Sequence, residues 1–230
     1  MQENIEHNKS LIYDYFLKNS DIFTAEEKDF SISLLDFDWD NLDIIPYFAR
    51  EVYDELGILP NNHNIYLGFC DFIRETLNVS DKKILEVGGG VLPRLGERLS
   101  VYLKDGSLTI YDPRLSLKKN STDVLKLVRQ RFSYQTNVSE FDLIVGLMPC
   151  DAAEVIVDVA TNNKKDFMIA LCEGGEHGED FDFYQDDDEW RHSVILSARR
   201  KVEKMEMGKL KVKYLHSYGN PYPIIYNSKN

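Results

Sequence analysis

The sequence predicts an α/β protein in which a mostly parallel seven-stranded sheet, with helices on both faces, follows an α-helical N-terminal extension. Three observations predict it. Residues 1–80 carry apolar residues at helical spacing with no strand pattern among them. From Lys82 short apolar runs alternate with helical ones, and the end of the chain, KLKVKYLHSYGNPYPIIYNSK, reads as two strands joined at Gly219-Asn220-Pro221. Strand–helix alternation gives parallel neighbours joined by crossovers, and a terminal hairpin closes such a sheet with an antiparallel pair. The expected division is a helical extension or lid, 1–80, and a sheet domain, 81–230.

Each element has its own signal. Ile12, Tyr15, Phe16 and Phe23 mark an amphipathic first helix, and a second, Ala25 to Leu35, follows a Thr24 cap with Glu27 at the capping-box position. The third, YFAREVYDEL, has Pro46 in its first turn and Gly57 to end it. A fourth spans about 62–77, with Tyr66, Phe69, Cys70 and Ile73 on one stripe. Strands are predicted at 83–87, 107–111, 131–135, 141–147 and 166–172, and helices at about 92–103, 121–129, 151–161 and 187–205.

Composition narrows the function classes. The 230 residues are 43% hydrophobic, enough for a substantial core. No apolar run approaches the roughly 20 residues that span a bilayer, and MQENIEHNKS lacks the basic-then-apolar pattern of a signal peptide, so a cytoplasmic protein without membrane contact is expected. Cys70, Cys150 and Cys172 fit neither a disulfide framework nor a CxxC metal knuckle. The net charge of -12 is concentrated: residues 1–80 hold 16 acids and 5 bases, the remainder 23 and 22. An acidic first third repels phosphate backbones and counts against nucleic acid as a partner.

The stretch KKILEVGGGVLPRLGERLS joins a strand to a helix through Gly88-Gly89-Gly90, with Glu86 at the strand's end. No GxxxxGK[ST] loop occurs, which removes phosphate-loop nucleotide hydrolysis. The dinucleotide pattern GxGxxG begins at Gly88 and Gly90, but Pro93 stands where its third glycine belongs, and a pyrophosphate is ill served by a neighbouring carboxylate. A cofactor that carries a cation near the turn gains from that acid. A second acid, Asp112, ends the next strand, SLTIYDP, 22 residues after Gly90, where a carboxylate can accept a ribose diol.

ILEVGGGVL resembles motif I of the class I S-adenosylmethionine-dependent methyltransferases: an apolar strand, an acid, then GxGxG. Glu86, Gly88 and Gly90 fit, and Leu92 departs from the third glycine. FDLIVGLMPCDAAEVIVDVA is similar to the family's motif IV region, although Met148-Pro149-Cys150-Asp151 is not the Asn/Asp-Pro-Pro-aromatic turn of enzymes that methylate base amines. The resemblance implies a Rossmann-like fold and S-adenosylmethionine as cofactor. Glu86 would hold the methionine amino group, Gly88, Gly89 and Gly90 would admit the cofactor to the backbone, and Asp112 would bind the ribose. Met148 and Pro149 would lie near the sulfonium, and Asn137 to Glu140 would border the adenine.

Methyl transfer is an in-line displacement that positioning and preorganised charge can accelerate, with a base needed only for a protonated acceptor. Asp151 and Glu173, just past strand ends, are the candidate catalytic acids, with His177 on the loop beyond. Cys150 and Cys172 end adjacent strands but have no His at ligand spacing, so they read as small buried residues and no metal site is expected. Residues 173–189 hold nine acids and no Lys or Arg. With the acidic extension they suggest a mouth for a cationic or amine-bearing acceptor, a small molecule or a protein side chain. Two other readings fit the same fold: an aminopropyltransferase or nicotianamine-synthase-like transferase, and a non-catalytic interaction module. Tyr218, Tyr222 and Tyr226 in the last hairpin offer an aromatic surface for a homodimer.

Overall fold

Seven strands form one sheet in the order β3-β2-β1-β4-β5-β7-β6. They are β1 Lys83–Val87, β2 Ser107–Tyr111, β3 Leu125–Val128, β4 Leu143–Leu147, β5 Asp166–Ala170, β6 Lys209–Ser217 and β7 Asn220–Ser228. The computed structural model describes residues 2–27, 29, 47–58, 64–116, 118, 121–172, 187–217 and 220–228. The first five strands run parallel, and β7 turns antiparallel against β5 and β6, as the terminal hairpin pattern requires. At the centre, β1 and β4 are buried at every position except Lys83, because helices cover both faces of a parallel sheet. Towards the edge, β2 alternates buried and half-buried residues.

Among the described residues the helices are α1 Gln2–Lys18, α2 Tyr47–Glu55, α3 Ile65–Thr76, α4 Arg94–Ser100, α5 Ala152–Asn162 and α6 Asp187–Lys204. The Thr24 capping box is formed, with Thr24 N–H donating to Glu27 and Glu27 N–H to Thr24 Oγ1 at 2.9 and 3.1 Å. Most of the helix predicted from Ala25 to Leu35 lies outside the described residues, as do Pro46 and 61–63. Helix α3 is capped by Asn64, whose side chain accepts the Leu67 N–H at 3.0 Å.

One element is corrected. The segment predicted as a helix at 121–129 contains β3, and the strand predicted at 131–135 is loop. Ser121-Thr122-Asp123 looks like a helix start, but Thr122 Oγ1 accepts the Leu125 N–H at 3.0 Å in a tight turn, and Leu125 to Val128 then pair with Leu108 to Tyr111. The unmet hydrogen bonds of β2 outweigh local helix preference. The apolar Phe132 and Tyr134 that suggested a strand separate, one buried and the other 61% exposed.

Among the described residues, two apolar clusters hold the chain together. The larger fills the sheet faces and includes Phe69, Cys70 and Ile73 of α3. The smaller joins Ile12, Phe16 and Phe23, with Val52 and Tyr53 of α2, to Val91 and Leu92 beside the glycine turn. Ion pairs fasten the same contact: Asp54 is bonded by Arg94 (2.8 Å) and Arg98, Glu55 by Arg94, Glu27 by Arg114, and Asp21 by Lys118 at 2.6 Å. Burial opposes ionisation of Asp54, yet Arg98, Arg94 and Asn64 outweigh it and hold its carboxyl below the usual range. Tyr222 and Tyr226 are buried, and the Tyr226 ring meets Phe72 edge-on at 5.6 Å, so they offer no exposed aromatic surface; Tyr218 and Gly219 lie outside the described residues. No described helix is long and apolar enough to cross a membrane.

Candidate functional site

A cavity of about 480 Å³ opens at the carboxyl ends of β1, β2 and β4. In open α/β sheets this is where ligands bind, because strand order reverses between β1 and β4 and the departing chains splay apart. Its walls include Gly88 and Gly90, Asp112 and Arg114 after β2, Met148 to Asp151 after β4, Arg131 and Phe132, and Glu51 from α2. The size falls within the roughly 300–1,000 Å³ of small-molecule sites.

The glycine turn is shaped by what crowds it. Gly88 and Gly90 take φ of +79° and +75°, a region L side chains rarely adopt. A Cβ on Gly90 would fall 1.9 Å from Glu51 Oε1. The Gly90 N–H donates to Asp112 Oδ2 at 3.0 Å, and the Arg114 N–H to Asp112 Oδ1 at 2.7 Å. Each oxygen keeps acceptor capacity for a further donor from the cavity. Burial pushes Asp112 above the usual carboxylate pKa, and the two backbone donors with the Arg114 charge partly offset it.

Glu86 is 1% exposed and its Oε2 has no hydrogen-bond partner among the described residues. Burial, with the charges of Asp112 and Glu97 added, raises it to about 8. Its carboxyl lies behind the turn: Oε1 is 3.5 Å from the Cβ position of Gly89, and Oε2 is 2.7 Å from that of Gly96 on α4. Glu86 is not among the cavity's lining residues, whereas Glu51 is. Gly89 faces Ile110, to which a Cβ would come within 2.4 Å.

Glu51 carries no sequence motif, and its part in the wall was not legible from the chain. It is 2% exposed, and its Oε2 accepts the Leu92 N–H at 2.8 Å. Burial raises its pKa well above the ordinary value, the Leu92 N–H and Arg114 oppose the rise, and Asp112 adds to it. Glu51, Glu86 and Asp112 thus converge on one turn. The guanidinium of Arg114, whose field favours ionised Glu51 and Asp112, is itself bonded to Glu27.

Beyond β4 the backbone is strained on both sides of Pro149, with φ of 50° at Met148 and 47° at Cys150. The Met148 N–H donates to the Ala170 carbonyl at 2.8 Å, which holds this turn to β5. Asp151 stands at the start of α5 without a capping hydrogen bond; its carboxylate accepts from Arg131 at 2.6 Å across the cavity wall. The Cys150 thiol donates to the Met148 carbonyl at 3.5 Å, and the neighbouring Cys172 thiol, together with burial, raises its pKa far above the usual range. No group of three or more His, Cys, Asp or Glu side chains suited to a metal occurs among the described residues. Glu173 and His177 lie outside the described residues, with most of the acidic loop. Residues 137–140 are not in the wall; Arg131 and Phe132 occupy the side beyond β3.

No protein-family model matches the sequence, and no curated protein matches it. Solved structures do match in fold. Magnesium protoporphyrin IX methyltransferase from Synechocystis PCC 6803 with bound S-adenosylmethionine aligns at a TM-score of 0.53 and 10% identity, over 96% of this chain and 97% of that one. Its form with bound S-adenosylhomocysteine gives 0.52 and 8%, over 96% and 100%. A precorrin-6y C5,15-methyltransferase from Geobacter metallireducens GS-15 gives 0.51 and 14%, over 75% and 91%. The chain therefore has the Rossmann-like class I methyltransferase fold.

Proposed function

We propose that the chain is an S-adenosylmethionine-dependent methyltransferase acting on an amine-bearing small molecule or protein side chain. The observation that carries the cofactor is the convergence of three carboxyl groups, Glu51, Glu86 and Asp112, on a glycine turn at the ligand edge of the sheet; the amine-bearing acceptor rests on the acidity of residues 1–80 and 173–189. Desolvated acids that repel one another favour a cationic ligand and disfavour a phosphate. S-adenosylmethionine carries a sulfonium, an ammonium, one carboxylate and a ribose diol, is cationic overall, and has no phosphate. The solved proteins of the same fold that carry it or its demethylated product in their structures support the reading.

In this reading Asp112 accepts the ribose hydroxyls on lone pairs left by its two backbone donors, and the Gly88-to-Gly90 backbone lies against the cofactor. The bound cofactor supplies an electrophilic methyl on a sulfonium. Met148 and Pro149, held by the strained turn after β4, shape the wall where sulfonium and acceptor meet. Asp151, paired with Arg131 in the wall, is the described acid placed to take a proton from an ammonium acceptor; Glu173 is proposed with it. The test is transfer of tritiated methyl from S-adenosylmethionine to a panel of primary and secondary amines, alcohols and thiols. Label appearing on amines supports the acceptor class, and label only on alcohols or thiols overturns it.

A further inference from the structure

Two buried acids reach the glycine turn, Glu86 at Gly89 and Glu51 at Gly90, and of the two Glu51 alone is in the cavity wall. The Glu86 carboxyl sits behind the turn, toward Gly89, Gly96 and Ile110, and is not part of the cavity wall. Glu51, from the helical extension, is in the wall; its Oε2 is fixed by the Leu92 N–H and its Oε1 lies over Gly90. Asp112, which also bonds Gly90, has the position suited to the ribose. A sulfonium has no N–H or O–H to donate, and with the ribose hydroxyls met by Asp112 the ammonium is the charged donor left for a second carboxylate held against the turn. We infer that Glu51, supplied by the extension, rather than Glu86, receives the ammonium of the cofactor's amino-acid tail and makes the extension part of the binding site. This rests on the S-adenosylmethionine reading above.

The assignment gives the buried extension a purpose. The cluster of Phe16, Phe23, Val52 and Tyr53 on Val91 and Leu92, and the Arg94–Asp54 pair, fix α2 at a set height over the turn. A carboxylate on that helix therefore arrives preorganised. Its raised pKa is consistent with a group that awaits a cation, since an approaching ammonium favours the ionised form and releases the proton.

Calorimetric titration with three ligands separates the alternatives. S-adenosylmethionine has the tail and the sulfonium, S-adenosylhomocysteine has the tail alone of these, and 5′-methylthioadenosine has neither. Glu51→Gln retains an amide oxygen for the Leu92 N–H and removes the charge. It is expected to weaken both tail-bearing ligands by about 10-fold or more, the scale of a charge-assisted hydrogen bond, and to leave methylthioadenosine within about twofold. Glu86→Gln is expected to leave the ratio among the three unchanged. Equal weakening of all three by Glu51→Gln would show a purely structural role and overturn the inference. So would tighter binding of the tail-bearing ligands, which would mark Glu51 as an occupant they displace, or a tail-specific loss in Glu86→Gln. If the wild type binds none of the three, the cofactor reading itself falls and takes this inference with it.

Discussion

The Glu51 carboxylate accepts the backbone N–H of Leu92 at 2.8 Å, a bond that joins residues 41 positions apart and ties the helical extension to the glycine turn. Leu92 stands where the methyltransferase pattern has its third glycine, and its side chain is buried under Phe16, Phe23 and Val52 in the second apolar cluster. The leucine at that position thus has a structural use: with Val91 it is where the extension docks.

Leu92→Ala should therefore loosen the extension selectively. Removing a buried leucine costs about 2–4 kcal/mol. Hydrogen exchange should quicken in residues 10–18 and 47–56 while β1, β4 and β5 keep their protection. Uniform quickening across the sheet would contradict a docking role.

Gly90→Ala places a Cβ 1.9 Å from Glu51 Oε1 at a φ of +75°. The substitution should lower the melting temperature, and adding Glu51→Ala should recover part of the loss by removing the clash while leaving the backbone strain. Strict additivity of the two changes would place Glu51 away from Gly90.

Glu86 titrates near 4.5 when unperturbed and is raised to about 8 in the folded chain. Between those values the folded state keeps a proton that the unfolded state releases, so stability falls as pH rises through the window. The penalty is absent below it and complete above it, on a scale of about 1.4 kcal/mol per pKa unit. Glu86→Gln should melt higher than the wild type above pH ~8, with the gap closing toward pH ~4.5. A gap independent of pH would contradict the buried-acid account.

The neighbouring Cys172 thiol, burial and the nearby Asp151 and Asp112 all disfavour the Cys150 thiolate. In the folded protein at pH ~8, iodoacetamide should label Cys150 about 100-fold or more slower than a free thiol, with rapid labelling after denaturation. Fast labelling of the native protein would show a reactive thiol at the cavity wall.

Local signals were legible and long-range ones were not. Strands β1 and β2, the turn between Gly88 and Gly90 and the acid at Asp112 declare themselves within a few residues each, as does the Thr24–Glu27 box. Strand β3 did not, because Ser121-Thr122-Asp123 has the chemistry of a helix cap and only pairing with β2 decides otherwise. Glu51 is one acid in an acidic helix, and nothing in YFAREVYDEL distinguishes it from Glu55 until the fold brings α2 over the turn. Phe132 reached the wall for the same reason, by the path of the chain beyond β3. Tyr222 and Tyr226 looked like surface aromatics at the chain's end, yet β7 lies between β5 and β6 and buries them.

Whether the cavity holds S-adenosylmethionine is decided by calorimetric titration of the protein with that cofactor beside Asp112→Ala and Asp112→Asn, with melting temperatures to confirm that each variant is folded. Micromolar binding is expected for the wild type, with a loss of about 1.5–3 kcal/mol in Asp112→Ala, the scale of a charge-assisted hydrogen bond. Undiminished affinity in a folded Asp112→Ala protein would contradict the ribose site, and absence of binding by the wild type would contradict the cofactor.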